Sequence, residues 1–340
     1  MLFYPLFGKC GVSVDHVAAV GGAEEEIAAR WGGFAEHFDA VGAHAYARIA
    51  RGVAEDGQVV GLLAQLPAGN KRQPNLLLGA VRYLGGPVES WPGFRAFVLA
   101  QWERVRAVVL ERLTQTNEAR RCAVLLPVLA QLPGPLALLE VGSSAGLCLY
   151  PDRYRYRFGG GGWVGPDRSA VGLECAVSGP VPVPERVPQV VWRGGVDLNP
   201  LDPGREQDVR WLESLIWPGP EEEARRERLR GAAAVAAAEP AQVVAGDLVQ
   251  ALPELASRVP REATLVVFHS AVAAYLPSAQ RDAFVQVVRS LPGHWVSNEG
   301  WKVFPWLQGG RPPREGMFTV ALDERVVAYA GEHGQEVVWA

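Results

Sequence analysis

Cysteine and lysine are scarce in this 340-residue chain, and uninterrupted apolar runs are short. The four cysteines, Cys10, Cys122, Cys148 and Cys175, are spaced by 112, 26 and 27 residues with no Cys-x-x-Cys pair. Reduced thiols and a cytoplasmic location are therefore expected, and the start Met1 to Gly11 lacks the charged segment and cleavage site of a secretory signal. Only Lys9, Lys71 and Lys302 are lysines, and the formal net charge of -4 leaves no basic excess. A long phosphate backbone usually requires such an excess, so nucleic acid is not the expected partner. No window approaches the roughly 18 apolar residues that a membrane span needs. Metal is not expected either. Seven residues apart, His37 and His44 would share one face of a continuous helix, but no third ligand accompanies them at metal spacing.

What is present describes an ordinary globular chain, 49% hydrophobic and 21% charged. Extended disorder, collagen-like repeats and disulfide-dense miniature folds are excluded. A chain this long buries about three quarters of the surface its unfolded form exposes, which needs no disulfide or metal to stabilise it. The eleven tryptophans are scattered singly and read as core packing, not as a base-stacking platform.

From Ala23 to about Gln131 the apolar spacing is helical. Ile27, Trp31, Phe34, Phe38, Val41 and Ala45 recur every three or four residues, as do Phe94, Val98, Trp102, Val105, Val109 and Leu113. This predicts an all-helical N-terminal cap over residues 1–131. At Pro133-Gly134-Pro135 the pattern changes to strands alternating with helices, predicting an α/β domain over 132–340. Leu136 to Val141 reads as a buried strand followed by a small-residue turn and a helix start at Leu147. Tyr154 to Phe158 and Val171 to Val177 alternate like a β-hairpin inserted at about 153–178. A further strand is expected to start at Val190–Trp192 and end at Gly194-Gly195-Val196-Asp197, and others at Gln242–Ala245, Thr264–Phe268 and His294–Ser297. Helices are expected near Glu206–Ile216, Glu221–Ala238, Leu248–Ala256 and Ala279–Ser290. Met317–Leu322, Arg325–Ala330 and Glu336–Trp339 read as an antiparallel addition to the sheet edge.

The strongest local signal is Leu138-Leu139-Glu140-Val141-Gly142-Ser143-Ser144-Ala145-Gly146-Leu147, an apolar strand ending in an acid and then small residues that let a ligand approach the backbone. It resembles the opening of the cofactor site in class I S-adenosylmethionine-dependent methyltransferases, with Ser144 where their pattern has its middle glycine. A tight strand-to-helix turn with no ligand explains the same residues. So does the Gly-x-Ser-x-Gly elbow of α/β-hydrolases, which would make Ser144 a nucleophile, although no His-Gly oxyanion loop precedes it. Downstream, Asp197 in Gly195-Val196-Asp197-Leu198-Asn199-Pro200 places a carboxylate at a strand end, where methyltransferases hold the ribose hydroxyls. Asp247, after the next strand, falls where they meet the adenine. Both acids also suit the N-cap of a following helix. Because 55 residues separate Gly142 from Asp197, Glu174 is a fallback for the ribose acid.

The ends of the later strands carry the remaining candidates. His269, followed by Ser270 and Tyr275, is placed to take a proton from an attacking hydroxyl or amine, or else to bond the loop backbone. Asn298 and Glu299 suit a small acceptor, with Glu299 as a base, a helix cap or an arginine's partner. In Gln115-Thr116-Asn117-Glu118, either Thr116 or Asn117 caps a helix, or Asn117 and Glu118 reach over the crevice to substrate.

Together with Asp208-Val209-Arg210-Trp211-Leu212, these motifs resemble, in order and over nearly the whole chain, the bacterial domain of unknown function 2332 family. The resemblance implies a cytoplasmic protein with a Rossmann-like sheet of class I methyltransferase type. On that basis Glu140, Gly142, Ser143, Ser144, Gly146, Asp197, Asn199, Asp247 and His269 would surround S-adenosylmethionine. Asn117, Glu118, Ser270 and Asn298 would meet a small-molecule acceptor, with His269, Glu299 and Tyr275 as catalytic groups.

Overall fold

The computed structural model describes residues 22–307, 309 and 311–340. Cys10 and the Met1–Gly11 start lie outside the described residues. The described residues divide into two compact units, 22–116 with 207–226, and 117–206 with 227–340.

In the first unit, helical spacing becomes helices: α1 (Ala23–Ala40), α2 (His44–Glu55), α3 (Gly57–Ala64), α4 (Pro74–Tyr83), α5 (Trp91–Ala100) and α6 (Trp102–Glu111). Ile27, Trp31, Phe34 and Phe38 of α1 are buried together on one face. Asp56 caps α3, accepting from the backbone N–H of Gln58 and Val59 at 3.0 Å each. The apolar stripe from Phe94 to Leu113 is broken at Gln101, which leaves helical geometry (φ -120°, ψ 21°), so that two helices replace one.

Residues 207–226 join this unit through specific contacts, several of them from α8 (Glu206–Ser214). Arg112 forms a buried ion pair with Asp208 at 2.5 Å. The Trp211 indole donates to the carbonyl of Leu113 at 3.1 Å, and the Trp217 ring lies 4.8 Å from Phe38.

The second unit is built on one mixed sheet of eleven strands: β1 (Leu136–Val141), β2 (Arg155–Phe158), β3 (Trp163–Val164), β4 (Gly172–Ser178), β5 (Val190–Asp197), β6 (Gln242–Ala245), β7 (Thr264–Ser270), β8 (His294–Gly300), β9 (Phe318–Leu322), β10 (Arg325–Ala330) and β11 (Glu336–Trp339). Their order is β3-β2-β4-β11-β10-β9-β8-β7-β1-β5-β6. Strands β6, β5, β1, β7 and β8 are mutually parallel. Every residue of β1 is buried, as a central parallel strand requires. α10 (Leu248–Ser257) links β6 to β7, and α11 (Ser278–Ser290) links β7 to β8.

From β1 the chain winds outward through β5 and β6, then returns to the other side of β1 as β7 and β8. The reversal lies between β1 and β7, and in open α/β sheets the crevice outside the strand carboxyl ends at such a point takes the ligand. Beyond β8, strands β9 to β11 form the expected antiparallel meander. It is not the edge, because β4, β2 and β3 extend the sheet further.

Three expectations are corrected. β2 and β4 are not a hairpin: they run parallel, Arg155 opposite Gly172 and Phe158 opposite Cys175, while β3 pairs antiparallel with β2. Alternation identified the strands but carries no information about direction. The residues after Gly146 form only the 3-10 turn Leu147–Leu149, not a helix. Finally, the cap begins neither at Thr116 nor at Asn117. Helix α7 (Arg121–Leu129) starts later, and all nine of its residues are buried. It belongs to the sheet unit, so the division falls at Asn117, ahead of Leu132. The last helix, α9 (Glu222–Ala238), runs across the division. Among the described residues no helix is long and apolar enough to cross a membrane.

Candidate functional site

Parallel neighbours deliver their carboxyl ends to one edge, so the residues after β1, β5, β6, β7 and β8 assemble there. The loop after β1 is left-handed at Gly142 (φ 68°), Ser144 (φ 50°) and Gly146 (φ 68°). A Cβ on Gly142 would lie 2.4 Å from Cγ2 of Val272, so only glycine fits where this loop meets the turn after β7. Ser144 adopts its conformation without that freedom, at a cost of roughly 1 kcal/mol.

The loop's backbone donors are largely used within the chain. The N–H groups of Gly142 and Ser143 donate to Val196 O at 2.8 and 3.2 Å, and that of Gly146 to Ser143 O at 2.6 Å. The Ser144 N–H donates to Asp197 Oδ2 at 2.8 Å, and the Leu147 N–H to Asn117 Oδ1 at 3.5 Å. With these groups engaged and no α-helix following, the loop lacks the open anion cradle that binds phosphate. A dinucleotide is therefore a poor fit. Side-chain atoms are different. The Ser143 and Ser144 hydroxyls and Oε2 of Glu140 are buried without hydrogen-bond partners. Burial, reinforced by Cys148 and Asp197 and only partly offset by Arg121, holds the Glu140 carboxyl well above the ordinary range.

Asp197 ends β5 and clamps two turns. Besides Ser144, it accepts from the N–H of Asn199 through Oδ1 at 2.8 Å. It remains half-buried. Asp247 is the N-cap of α10, accepting from Val249 N at 2.9 Å and Gln250 N at 3.3 Å, and its other oxygen accepts from Gln280. The capping alternative for Asp247 is thus observed. Glu174 is corrected as a ribose acid. It lies on β4, paired with Arg157 of β2, six strands from β1 and so about 29 Å away at ~4.8 Å per strand.

At the other side of the edge, His269 and Glu299 form a buried pair, Nδ1 to Oε1 at 2.7 Å. The same oxygen accepts from the N–H of Val272 at 2.8 Å and of Ala273 at 2.9 Å. Burial alone would raise the Glu299 carboxyl, but the hydrogen bond and charge of His269 with these two donors hold it below the ordinary range. The His269 ring is 0% exposed, among Phe284, Trp295 and Phe304. A base must be within reach of its proton, and this imidazole is enclosed. Its place is to orient Glu299 and the 271–273 turn. Neither His269 Nε2 nor the Ser144 hydroxyl has a partner, so the two do not form the bonded pair a serine hydrolase uses. Asn298 Nδ2 donates to Ser270 Oγ at 2.9 Å, while its Oδ1 is buried without a partner. Tyr275 stands 49% exposed.

Glu118 does not reach out to solvent. It is 3% exposed and accepts from Arg228 through both oxygens, at 3.1 and 3.2 Å, and from the N–H of Arg120 at 3.1 Å. Asn117 steadies the loop through its Oδ1, leaving a buried Nδ2 without a partner. Sequence reasoning passed over Arg121. Its Nε donates to Glu332 O at 3.0 Å and its Nη1 to Ser270 O at 3.1 Å. The signal was the second of two adjacent arginines, Arg120 and Arg121, directly abutting an otherwise wholly apolar run, Cys122 to Leu129.

Elsewhere, among the described residues no group of three His, Cys, Asp or Glu is placed to hold a metal ion. An open groove of about 870 Å³, lined from α1, α3, α5 and α6, lies in the helical unit and contains none of the candidates.

A mostly parallel half-sheet with helical connections, a polar carboxyl edge and a small-residue loop defines an α/β protein. The particular family follows from comparison. The sequence pattern described as "uncharacterized protein conserved in bacteria (DUF2332)" matches residues 85–339, and the chain belongs to that family. No curated protein matches it.

Proposed function

We propose that this protein is an S-adenosylmethionine-dependent methyltransferase acting on a small-molecule acceptor, its five parallel strands being a Rossmann-like sheet of class I methyltransferase type. The observation that carries the reading is Asp197, a half-buried carboxylate ending the strand next to β1 and tied to the Gly142–Gly146 loop. Each of its oxygens accepts a backbone N–H, which fixes a carboxylate at the strand end where two ribose hydroxyls would be bound. The orphaned Glu140 oxygen and the Ser143 and Ser144 hydroxyls suit the polar amino-acid end of the cofactor. Asn199 would flank the ribose and Asp247 would stand toward the adenine. The use of the loop's own amides favours a cofactor without phosphate.

When bound, the cofactor supplies an electrophilic methyl group. Ser270, Asn298, Tyr275 and Asn117 would orient the acceptor, with His269 and Glu299 fixing the turn beneath it. Rate enhancement would then come chiefly from positioning and exclusion of water. Calorimetric titration of the full chain with S-adenosylhomocysteine tests this: micromolar binding, abolished in Asp197→Ala, is expected. Absence of heat at millimolar ligand rejects it, and undiminished binding in Asp197→Ala would instead favour a non-catalytic binding module.

The left-handed Ser144 keeps a second reading open, a serine hydrolase with Ser144 as nucleophile. Labelling of Ser144 by a fluorophosphonate would favour that reading, and a hydroxyl only 3% exposed argues against it.

A further inference from the structure

Arg121 is a cation in an expensive place. It is 3% exposed, and it sits in the first turn of α7, where the helix dipole disfavours positive charge. Its contacts are two backbone carbonyls, and Nη2 has no partner. Among the described residues no carboxylate lies within ion-pair distance of it. The nearby Glu140 is a poor counter-ion, since its burial favours the neutral form. A buried charge without its opposite costs several kcal/mol by the usual accounting, so the arrangement calls for an anion from outside the chain.

The surroundings say which kind. The first amides of α7 are already bonded: Arg121 N–H to Glu118 O, Cys122 N–H to Ala119 O, and Ala123 N–H to Arg120 O. No nest of free amides is left for a phosphate. What is offered is one guanidinium face with, four positions upstream, the buried and unpartnered Nδ2 of Asn117. Two or three N–H donors and a single positive charge match one carboxylate.

We infer that Arg121, with Asn117, recognises the carboxylate of a small-molecule ligand bound at the carboxyl edge of β1 and β7. The inference rests on reading this edge as a ligand trough. The carboxylate belongs either to the amino-acid end of the cofactor or to the acceptor.

The full chain, Arg121→Met and Arg121→Lys are titrated with S-adenosylhomocysteine and with 5′-methylthioadenosine, which lacks the amino-acid end. Thermal-shift assays with small carboxylic acids and their primary amides run alongside, and circular dichroism establishes that each variant is folded. The expected result is that acids raise the melting temperature while amides do not, and that Arg121→Met weakens the preferred acid by about tenfold or more. If S-adenosylhomocysteine outcompetes methylthioadenosine in the parent but not in Arg121→Met, the carboxylate is the cofactor's. If the two nucleosides bind alike and an acid still binds beside them, it is the acceptor's. Acids that beat amides in a protein blind to both nucleosides support Arg121 and remove the methyl-donor reading. Acids and amides acting alike in the parent, or a folded Arg121 variant with unchanged acid binding, overturns the inference. Should Arg121→Met not fold, Arg121→Lys and the acid-against-amide comparison in the parent decide it.

Discussion

The two sides of the carboxyl edge spend their polar groups differently. On the β5 and β6 side, Asp197 and Asp247 accept from backbone N–H groups and stay partly accessible. On the β7 and β8 side, Asn298, His269 and Glu299 are almost wholly buried, and each retains one atom without a partner. The first side holds its own turns in shape and leaves its carboxylates within reach of solvent. The second holds a rigid polar floor that the protein alone does not saturate. An acid at a strand end is thus not by itself a ligand-binding group, because the turn that follows has first use of it.

The comparison breaks most readily at Glu299. Glu299→Ala leaves the His269 ring and the N–H groups of Val272 and Ala273 facing a void, and should cost about 3–5 kcal/mol in denaturant unfolding. A loss near zero would mean that this floor is not structural. Arg228→Ala removes a bidentate charged partner of the buried Glu118 and should cost about 2–4 kcal/mol in the same assay.

Two carboxyl groups should respond to pH with opposite sign. The folded value of Glu299 is lowered, so its contribution to stability is complete above the ordinary carboxylate range and is lost as pH falls through its folded value. That of Glu140 is raised, so its contribution is complete below the ordinary range and is lost as pH rises toward its folded value. Glu140→Gln should therefore remove a downward slope of up to about 1.4 kcal/mol per pH unit above the carboxylate range. Unfolding curves for parent and variant across that range check it, and parallel curves would contradict the raised value.

The smallest effect sharpens the contrast. Asp247→Ala should cost about 1 kcal/mol as a lost N-cap. If Asp247 also meets a ligand, affinity for S-adenosylhomocysteine falls beyond what the parent's calorimetry scatter allows. If it only caps, affinity is unchanged.

Much of the fold is written locally. Gln242–Ala245, Arg325–Ala330 and Glu336–Trp339 are strands with the limits the sequence implies, because alternation there is bounded by turn residues. Pairing is not local. Nothing in residues 154–177 says that β2 and β4 run parallel, or that they travel to the far side of β11. That excursion accounts for the long gap between Gly142 and Asp197, and it leaves β5 beside β1. Among site residues, the acids were legible because they follow apolar runs. The enclosure of His269 was not, since Phe284 and Phe304 are brought to it by the fold. Arg121 was missed for a related reason: a polar helix start looks solvated in one dimension, and only packing shows that α7 is buried on every side.

Hydrogen–deuterium exchange of the full chain with and without S-adenosylhomocysteine tests the central claim most directly. Binding at the carboxyl edge predicts slowed exchange in peptides covering 142–147, 197–201 and 271–276, with β2 to β4 unchanged. Exchange unaltered in those three segments at saturating ligand, or protection confined to other parts of the chain, would contradict it.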